Sequence, residues 1–329
     1  MKAVIRPTVV LRADGGPGIG GGHIARTKII ASVLKAGGYQ IVLMCKDNDW
    51  TRSVLTGVDY KVQYLRPTDN ESLILSQTCR RIRAGLVILD VQDTSPEFIR
   101  YLKETQAAVI TIDDAGRGAE AADATFRAGV KNGAIGPHDY FGPPYAILSP
   151  DILELRNRSA PAAAGEIQTV VCFFGTFDPR AHWKHLRPLT ERFPKMSFKW
   201  FTQTAQTPRG NLEILQLSHD AFLESLLKSD LALISGGVTL FETMALGRPA
   251  VVLPQAPHET AQAELFSTDG AAILVPSPTV ELLASLMDAL NRTPERLRRM
   301  REKSMALVDG RGLERFMEVA RRLLDRSAA

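Results

Sequence analysis

The chain of 329 residues has only three cysteines, which are scattered at Cys45, Cys79 and Cys172. No Cys-x-x-Cys pair occurs among them, which argues against a disulfide framework or a cysteine-rich metal module. We therefore interpret these residues as small buried hydrophobic side chains in a reducing compartment.

The sequence also lacks long apolar runs. None approaches the roughly 18 residues that a membrane-spanning helix needs. The first apolar stretch is interrupted by Arg6 and Pro7, too early for a secretory signal, and the chain then enters a predicted strand. These absences predict a cytoplasmic protein with no integral membrane segment, and we expect a monomer or a weak homodimer.

A strong excess of charge of either sign is missing as well, since the formal net charge is +4. Much of the positive charge lies between Arg292 and Arg326, where Arg and Glu interleave at helical spacing. This spacing is typical of a solvated helix face, and aromatic residues are not interleaved there in the way that base stacking requires. We expect no nucleic-acid partner.

What the chain does contain is the composition of a globular protein, with 45% hydrophobic and 23% charged residues. Its length suits two domains of about 150 residues each. In the first half, apolar runs that end in acids alternate with helical patterns, which predicts parallel strands buried on both faces. The strands expected there are Thr8–Ala13, Tyr39–Cys45, Leu86–Asp90 and Ala108–Asp113.

The same alternation restarts in the second half, after a stretch without periodicity at Arg156–Gly165 that we interpret as a linker. The pattern predicts an α/β fold of two Rossmann-like doubly wound domains facing each other across a cleft, where ligands bind at the carboxyl ends of the strands. The domains expected are 1–155 and 166–311, followed by a C-terminal helix over 312–329 that could pack back on the first domain. The strands expected in the second domain are Thr169–Phe174, Ser197–Thr202, Leu231–Ile234 and Ala250–Leu253.

A glycine-dense turn follows the first predicted strand and leads through Gly21 and Gly22 into a helix that begins near His23. Ordering so many glycines costs conformational entropy, so such a loop is typical of a place where the backbone approaches a ligand closely. The free N–H groups of the helix start favour an anion. A flexible surface loop is the alternative. The turn is not a dinucleotide fingerprint, because Met44-Cys45-Lys46 stands where an acid would follow the second strand.

A second motif runs from Ser235 through Gly236, Gly237 and Thr239 to Glu242. A buried strand precedes the two glycines, and their backbone N–H groups can bind a diphosphate. The Thr239 hydroxyl adds a further hydrogen-bond donor. Glu242 is placed to accept the hydroxyls of a ribose, or else simply interacts with the helix dipole. We expect this segment to bind a nucleotide.

These two motifs, with Ile112-Asp-Asp114, Pro144-Tyr-Ala-Ile-Leu148 and Phe174-Gly-Thr-Phe-Asp-Pro179 in the same order, resemble the nucleotide-sugar hydrolases of pseudaminic acid biosynthesis. That family removes UDP from a 2,4-diacetamido-trideoxy hexose and is built like the two-domain B-type (GT-B) glycosyltransferases, especially the one that adds N-acetylglucosamine to lipid II. The resemblance implies hydrolysis of a UDP-sugar, and attack of water opposite the departing UDP would invert the anomeric carbon. We expect no metal or other cofactor.

The resemblance also implies roles for particular residues. His23 would be the general base for the attacking water, with Asp14 orienting His23 or a sugar hydroxyl, or else capping the loop. By analogy with related folds, His219 would lie beside the nucleobase. At the helix that contains His258, Glu259 and Gln262, simple capping is the alternative to sugar binding. Asp113 and Asp114 would hold either the sugar or their own loop. The residues expected near the sugar are Arg12, Asp113, Asp114, His258, Glu259 and Gln262.

The chain also departs from that family. It has Leu89-Asp90-Val91-Gln92 where the family has Asp-His-Tyr after the strand, Ser149 where the family has Arg, and Pro257–Gln262 where the family has Asn-Gln. Three rival functions therefore remain open: an inverting glycosyltransferase with a UDP-sugar donor, a non-catalytic protein that binds nucleotide sugars, and an enzyme that couples hydrolysis to epimerisation.

Overall fold

The computed structural model describes residues 7–129, 138–159, 166–203, 207 and 210–327. The chain divides into two compact units. Unit 1 comprises residues 1–149 and 311–329, and unit 2 comprises residues 150–310. The three cysteines are unpaired and buried, as the sequence predicts.

Unit 1 is an α/β unit in which strands and helices alternate along most of the chain. Short 3₁₀ turns span Arg117–Glu120 and Pro143–Tyr145. Its strands are β1 Thr8–Ala13, β2 Gln40–Lys46, β3 Lys61–Leu65, β4 Ala84–Asp90, β5 Ala108–Ile112, β6 Ala124–Arg127 and β7 Asp139–Phe141, and its helices are α1 Gly22–Ala36, α2 Asp49–Val54, α3 Glu71–Ile82, α4 Pro96–Lys103 and α12 Gly312–Ser327.

The sheet of unit 1 is parallel throughout, in the order β3-β2-β1-β4-β5-β6-β7. The order reverses between β1 and β4, and their register pairs Ala13 with Asp90 at the carboxyl end. Apolar clusters cover both faces of the sheet, which is why its central strands are nearly continuous in hydrophobic residues. The reversal leaves the crevice in which ligands of such sheets bind.

The last helix, α12, packs on β4 and β5 and so belongs to unit 1. Its residues Phe316, Ala320 and Leu324 are almost fully buried in the same cluster as Val9 and Ile88. They recur every fourth residue, which places them on one face of the helix. Residues distant in sequence therefore complete one core.

Unit 2 repeats this architecture with a second parallel sheet, in the order β10-β9-β8-β11-β12-β13. Here the order reverses between β8 and β11. A 3₁₀ turn spans His182–His185. The strands are β8 Thr169–Phe173, β9 Ser197–Thr202, β10 Leu212–Gln216, β11 Leu231–Ile234, β12 Ala250–Val252 and β13 Ile273–Leu274, and the helices are α5 Asp151–Arg158, α6 Leu186–Arg192, α7 His219–Leu227, α8 Val238–Ala245, α9 Pro257–Thr268, α10 Val280–Asn291 and α11 Pro294–Leu307.

The prediction of two doubly wound parallel sheets is confirmed, but the linker prediction is wrong in its first residues. Helix α5 extends to Arg158, because the Arg156 guanidinium donates to the carbonyl oxygens of Ala245, Met305 and Val308 and thereby holds this segment against unit 2. Residues 160–165 of the expected linker lie outside the described residues.

Candidate functional site

The glycine loop of unit 1 is a closed turn between β1 and α1. Gly16 and Gly20 exchange backbone hydrogen bonds of 3.0 and 2.9 Å, and the Asn48 side-chain amide donates to the Gly15 carbonyl oxygen at 2.9 Å. A Cβ atom on Gly15 would lie 2.3 Å from the Trp50 ring, so only glycine fits there. Helix α1 then begins at Gly22, with no side-chain cap and no acid in its first turn. Its first N–H groups and positive dipole end are therefore left uncapped by side chains.

His23 lies in the first turn of α1, where Asp90 orients its ring. The Nδ1 atom of His23 is 2.7 Å from Oδ1 of Asp90, the last residue of β4. An ionised carboxylate can only accept, so Nδ1 carries a proton, and in the neutral ring Nε2 then keeps its lone pair. Nε2 has no hydrogen-bond partner among the residues that the structure describes, and the side chain is 20% exposed. This is the arrangement of a general base that a carboxylate holds in one tautomer.

Arg26 lies three residues further along α1 and binds the same carboxylate. Its Nε and Nη2 atoms donate to the two oxygens of Asp90 at 2.8 and 2.6 Å, and its Nη1 donates to Asp113. Burial would raise the pKa of Asp90, but the charges of Arg26 and His23 and their hydrogen bonds lower it to about 2. Asp90 is therefore an anion at neutral pH although it is only 1% exposed.

Arg12 and Asp14 form a second charged cluster, at the end of β1. Arg12 donates to Asp14 at 2.6 and 2.9 Å and to Glu71 at 2.8 and 3.0 Å, while the Lys46 backbone N–H donates to Asp14 at 2.9 Å. Burial alone would raise the pKa of Asp14, but Arg12 and Lys46 lower it. The expectation that Asp14 orients His23 is corrected: its carboxylate is bonded to Arg12 and Lys46, and Asp90 orients the ring.

Asp113 and Asp114 have different environments although they are neighbours. Asp113 has a positive φ of 49° and bonds to Arg26, and its other oxygen accepts from the Ala128 N–H at 3.2 Å. Asp114 is buried and accepts from the N–H groups of Thr94 and Gly116 at 2.9 and 2.8 Å. Asp113 thus joins the His23 network, whereas Asp114 organises the loop.

In unit 2, the segment Ser235–Gly237 follows β11 and leads into α8. A Cβ atom on Gly236 would lie 2.8 Å from both the Cβ and the carbonyl oxygen of Glu259, so α9 approaches this loop as closely as a glycine allows. Helix α8 begins without a side-chain cap and without an acid in its first turn, and Thr239 lies in that turn. The backbone at this helix start is suited to an oxygen-rich anion.

The α9 residues expected near the sugar lie beside this loop, in different environments. The Gln255 N–H donates to Glu259 at 2.7 Å, so Glu259 holds the turn that precedes α9. The Gln262 side-chain amide donates to the Gly236 carbonyl oxygen at 2.5 Å and fixes the loop. His258 is exposed and has no bond to another described residue. Sugar binding by these three residues stays a prediction.

Glu242 and His219 form an ion pair in unit 2. Oε1 of Glu242 is 2.7 Å from Nε2 of His219, and the carboxylate is buried whereas the imidazole is half-exposed. The hydrogen bond to Glu242 raises the pKa of His219, although burial opposes this. The sequence analysis predicted a ribose contact for Glu242 and, by analogy, a place beside the nucleobase for His219. The structure brings the two side chains together.

Asp90, Glu71 and Lys46 are site residues that the sequence interpretation did not select. Asp90 was visible as an acid at the end of an apolar run, yet its pairing with His23, 67 residues away in sequence, depends on β1 lying beside β4. In the described parts of the chain, no group of three His, Cys, Asp or Glu side chains is placed to hold a metal ion. The described helices include none long and apolar enough to cross a membrane.

Known proteins resemble this chain along most of its length, although no protein-family model matches it. The spore coat polysaccharide biosynthesis protein SpsG of Bacillus subtilis (strain 168) is 24% identical over a 346-residue alignment that covers 95% of this chain and 97% of that protein. The UDP-N-acetylglucosamine--N-acetylmuramyl-(pentapeptide) pyrophosphoryl-undecaprenol N-acetylglucosamine transferase of Shewanella amazonensis (strain ATCC BAA-1098 / SB2B) is 36% identical over 95 residues, or 27% of this chain and 26% of that enzyme.

Among solved structures, MurG of Acinetobacter baumannii superimposes with a TM-score of 0.73 at 16% identity, covering 96% of this chain and 100% of that chain. At such low identity the likeness shows the fold alone. The fold is GT-B-like, with two parallel-sheet α/β domains, and this part of the sequence prediction is confirmed.

Proposed function

We propose that the protein is an enzyme that cleaves a UDP-sugar, with His23 as the base that deprotonates the nucleophile displacing UDP. The observation that carries the proposal is the hydrogen bond from His23 Nδ1 to Asp90, which leaves Nε2 as a proton acceptor at the carboxyl edge of the unit 1 sheet. The nucleotide is UDP because the Shewanella relative has a UDP-sugar as its donor, and the pathway is polysaccharide biosynthesis, as for SpsG.

The nucleotide-binding groups of the proposal belong to unit 2. The uncapped start of α8 at Ser235–Gly237 supplies backbone donors for the diphosphate, and Thr239 adds a hydroxyl. Negative charge grows on the departing diphosphate as the anomeric bond breaks, and fixed N–H dipoles stabilise that charge. Glu242 holds one oxygen toward His219, and we assign its other oxygen to the ribose hydroxyls.

The nucleophile that we propose is water, which makes the protein an inverting hydrolase of an amino or deoxy sugar nucleotide. Support comes from the sequence pattern shared with the pseudaminic acid hydrolases. Arg12, Asp14 and His23, which the resemblance singles out, take part with Arg26 in the two charged clusters of unit 1. A neutral imidazole is suited to accept a proton from water and pass it on.

A glycosyltransferase that transfers the sugar to an alcohol is the second candidate. It is favoured by the superposition on MurG and by the transferase name of the Shewanella relative. The same His–Asp pair would deprotonate an acceptor hydroxyl. In both cases attack opposite UDP inverts the anomeric carbon.

The test is a panel of UDP-sugars incubated with the protein in the absence of any acceptor. UDP release is followed by a coupled assay and the sugar product by NMR. We expect free sugar whose first-formed anomer is inverted, and a His23→Gln variant should lose roughly 10²- to 10⁴-fold in turnover. UDP binding measured by calorimetry should be unchanged, because the proposal assigns UDP to unit 2.

His138→Gln is the matched control, since His138 is an exposed histidine of unit 1. Turnover only when an alcohol is added would establish the transferase instead of the hydrolase. Binding of UDP-sugars with no turnover, with or without acceptors, would favour a binding protein. Undiminished turnover by His23→Gln would rule out the base.

A further inference from the structure

We infer that Arg26 and Asp113 set how readily His23 takes up a proton, and that they do so with opposite signs. The inference rests on the proposed function only in giving His23 a catalytic proton transfer. Neither residue bonds to His23, so both are positioning residues that act through Asp90.

Four side chains form one continuous hydrogen-bonded network at the carboxyl edge of the unit 1 sheet. His23 donates to Asp90, Arg26 donates to both oxygens of Asp90, and the remaining Arg26 nitrogen donates to Asp113. His23 and Arg26 come from the first turns of α1, Asp90 ends β4, and Asp113 follows β5. A single guanidinium therefore serves two carboxylates.

The formal charges of this network do not cancel while His23 is neutral. Arg26 contributes one positive charge, against one negative charge each from Asp90 and Asp113. When His23 accepts a proton, the four groups together become neutral. An opposite charge nearby favours the charged form of a group. Asp113 therefore supplies the excess negative charge that favours the imidazolium, and Arg26 limits that excess.

The other charged groups at this edge nearly cancel one another. Arg12 and Lys46 are positive, and both contact the carboxylate of Asp14; Arg12 also contacts that of Glu71. Asp114 faces Thr94 and Gly116, and burial raises its pKa. The net charge around His23 therefore depends on the charged groups of its own hydrogen-bonded network, Arg26, Asp90 and Asp113.

The Asp90 carboxylate is nearly inaccessible to solvent, as is the Arg26 side chain at 7% exposure. Interactions between such charges are screened much less than those between surface charges. Asp113 is 35% exposed, so its effect should be smaller than that of Arg26 but of opposite sign.

The experiment compares Arg26→Gln and Asp113→Asn by the pH dependence of kcat/KM. Asp113→Asn should move the acid-side midpoint to lower pH by about 0.5 unit, because the imidazolium loses a stabilising charge. Arg26→Gln should move it to higher pH by about 1 unit, because a repelling charge is lost. A merely structural role would lower activity without moving the two midpoints apart.

The double variant Arg26→Gln/Asp113→Asn is the sharpest control. It has the same formal network charge as the wild type, so its midpoint should return close to the wild-type value even if kcat falls. Arg26→Lys keeps the charge but loses the two-pronged contact with Asp90, so its midpoint should stay near the wild-type value. Should Arg26→Gln fail to fold by itself, the midpoint of the double variant compared with that of Asp113→Asn still gives the sign of the Arg26 effect.

A substrate-free measurement separates this inference from the proposed function. The imidazole NMR signals are titrated in each variant, and the His23 signal among the six histidines is assigned by its loss in His23→Gln. Midpoints that shift in opposite directions without turnover of any UDP-sugar would support the inference and contradict the proposed function. If the His23 midpoints of Arg26→Gln and Asp113→Asn both stay at the wild-type value, or both shift in the same direction, the inference is overturned.

Discussion

The two units place different kinds of chemical groups at the carboxyl edges of similar sheets. In unit 1 the edge contains ionised side chains from α1, β4 and the turn after β5, bonded into the His23 network. In unit 2 the edge is mainly backbone, a glycine turn running into an uncapped helix. Under the proposed function, one architecture serves proton transfer through charged residues distant in sequence and anion binding through a local turn.

The largest effect that would test this division is expected from Asp90→Asn. An amide can donate to Nδ1, so the ring would favour the tautomer that has its proton on Nε2 and can no longer act as a base. We expect kcat to fall by roughly 10³-fold or more, measured by steady-state UDP release. Asp93→Asn, an exposed neighbour on the same loop, is the control, and equal losses in the two variants would contradict a specific role for Asp90.

In unit 2 the corresponding change is Gly236→Ala, which adds a single methyl group to the backbone turn. Because that methyl group would lie 2.8 Å from Glu259, the loop or α9 must shift. We expect UDP to bind about 10- to 100-fold more weakly by calorimetry. Gly237→Ala meets only the Glu259 carboxylate, at 3.3 Å, and should cost less. A larger loss at Gly237 than at Gly236 would refute the close-approach argument.

The ionised network should also make unit 1 sensitive to acid. The pKa of Asp90 is lowered from 3.8 to about 2 in the folded state, so its stabilisation is present above about pH 4 and is lost as pH falls toward 2. We expect this component to be about 2 kcal/mol of unfolding free energy. Between pH 5 and pH 2.5, the free energy of unfolding measured with denaturant should fall less for Asp90→Asn than for the wild type. Equal falls in the two proteins would contradict the stabilising role of the Asp90 carboxylate.

The smallest effect is expected from His219→Gln, because its imidazole is half-exposed. The hydrogen bond to Glu242 raises the pKa of His219 above its reference value of 6.5, so the pair contributes fully below pH 6.5 and fades as pH rises through the raised value. UDP should bind less than about fivefold more weakly to the variant at pH 6. The difference should vanish at pH 9, and a difference that persists there would exclude the ion pair as its cause.

The sequence predicted the fold best where strands are buried on both faces. The fully buried strands Thr8–Ala13 and Leu231–Ile234 have the bounds that their apolar runs predict, as does the partly buried Ser197–Thr202. The edge strands β3, β7, β10 and β13 were missed, because their side chains are largely half-exposed and leave no continuous apolar run. The buried β6 was missed as well, because its four residues form too short a run. Burial produces the hydrophobic pattern by which a strand is predicted, and strands at sheet edges are the least buried.

The candidate site was predicted unevenly for a related reason. The turn before α8 is contiguous in sequence, so its glycines and Glu242 could be found from spacing alone. The partner of His23 could not, because nothing local indicates that β4 lies beside β1. The resemblance suggests Asp14 as one residue that could orient His23, whereas the sheet order brings Asp90 to the ring.

Helix α12 has a consequence for how the protein is made. Most of unit 1 is synthesised before unit 2, yet Phe316 and Leu324 of its core are synthesised after unit 2. Unit 2 emerges whole before them. Unit 2 can therefore fold during translation while the open apolar face of the nascent unit 1 awaits α12, which reverses the usual N-terminal-first order of domain folding.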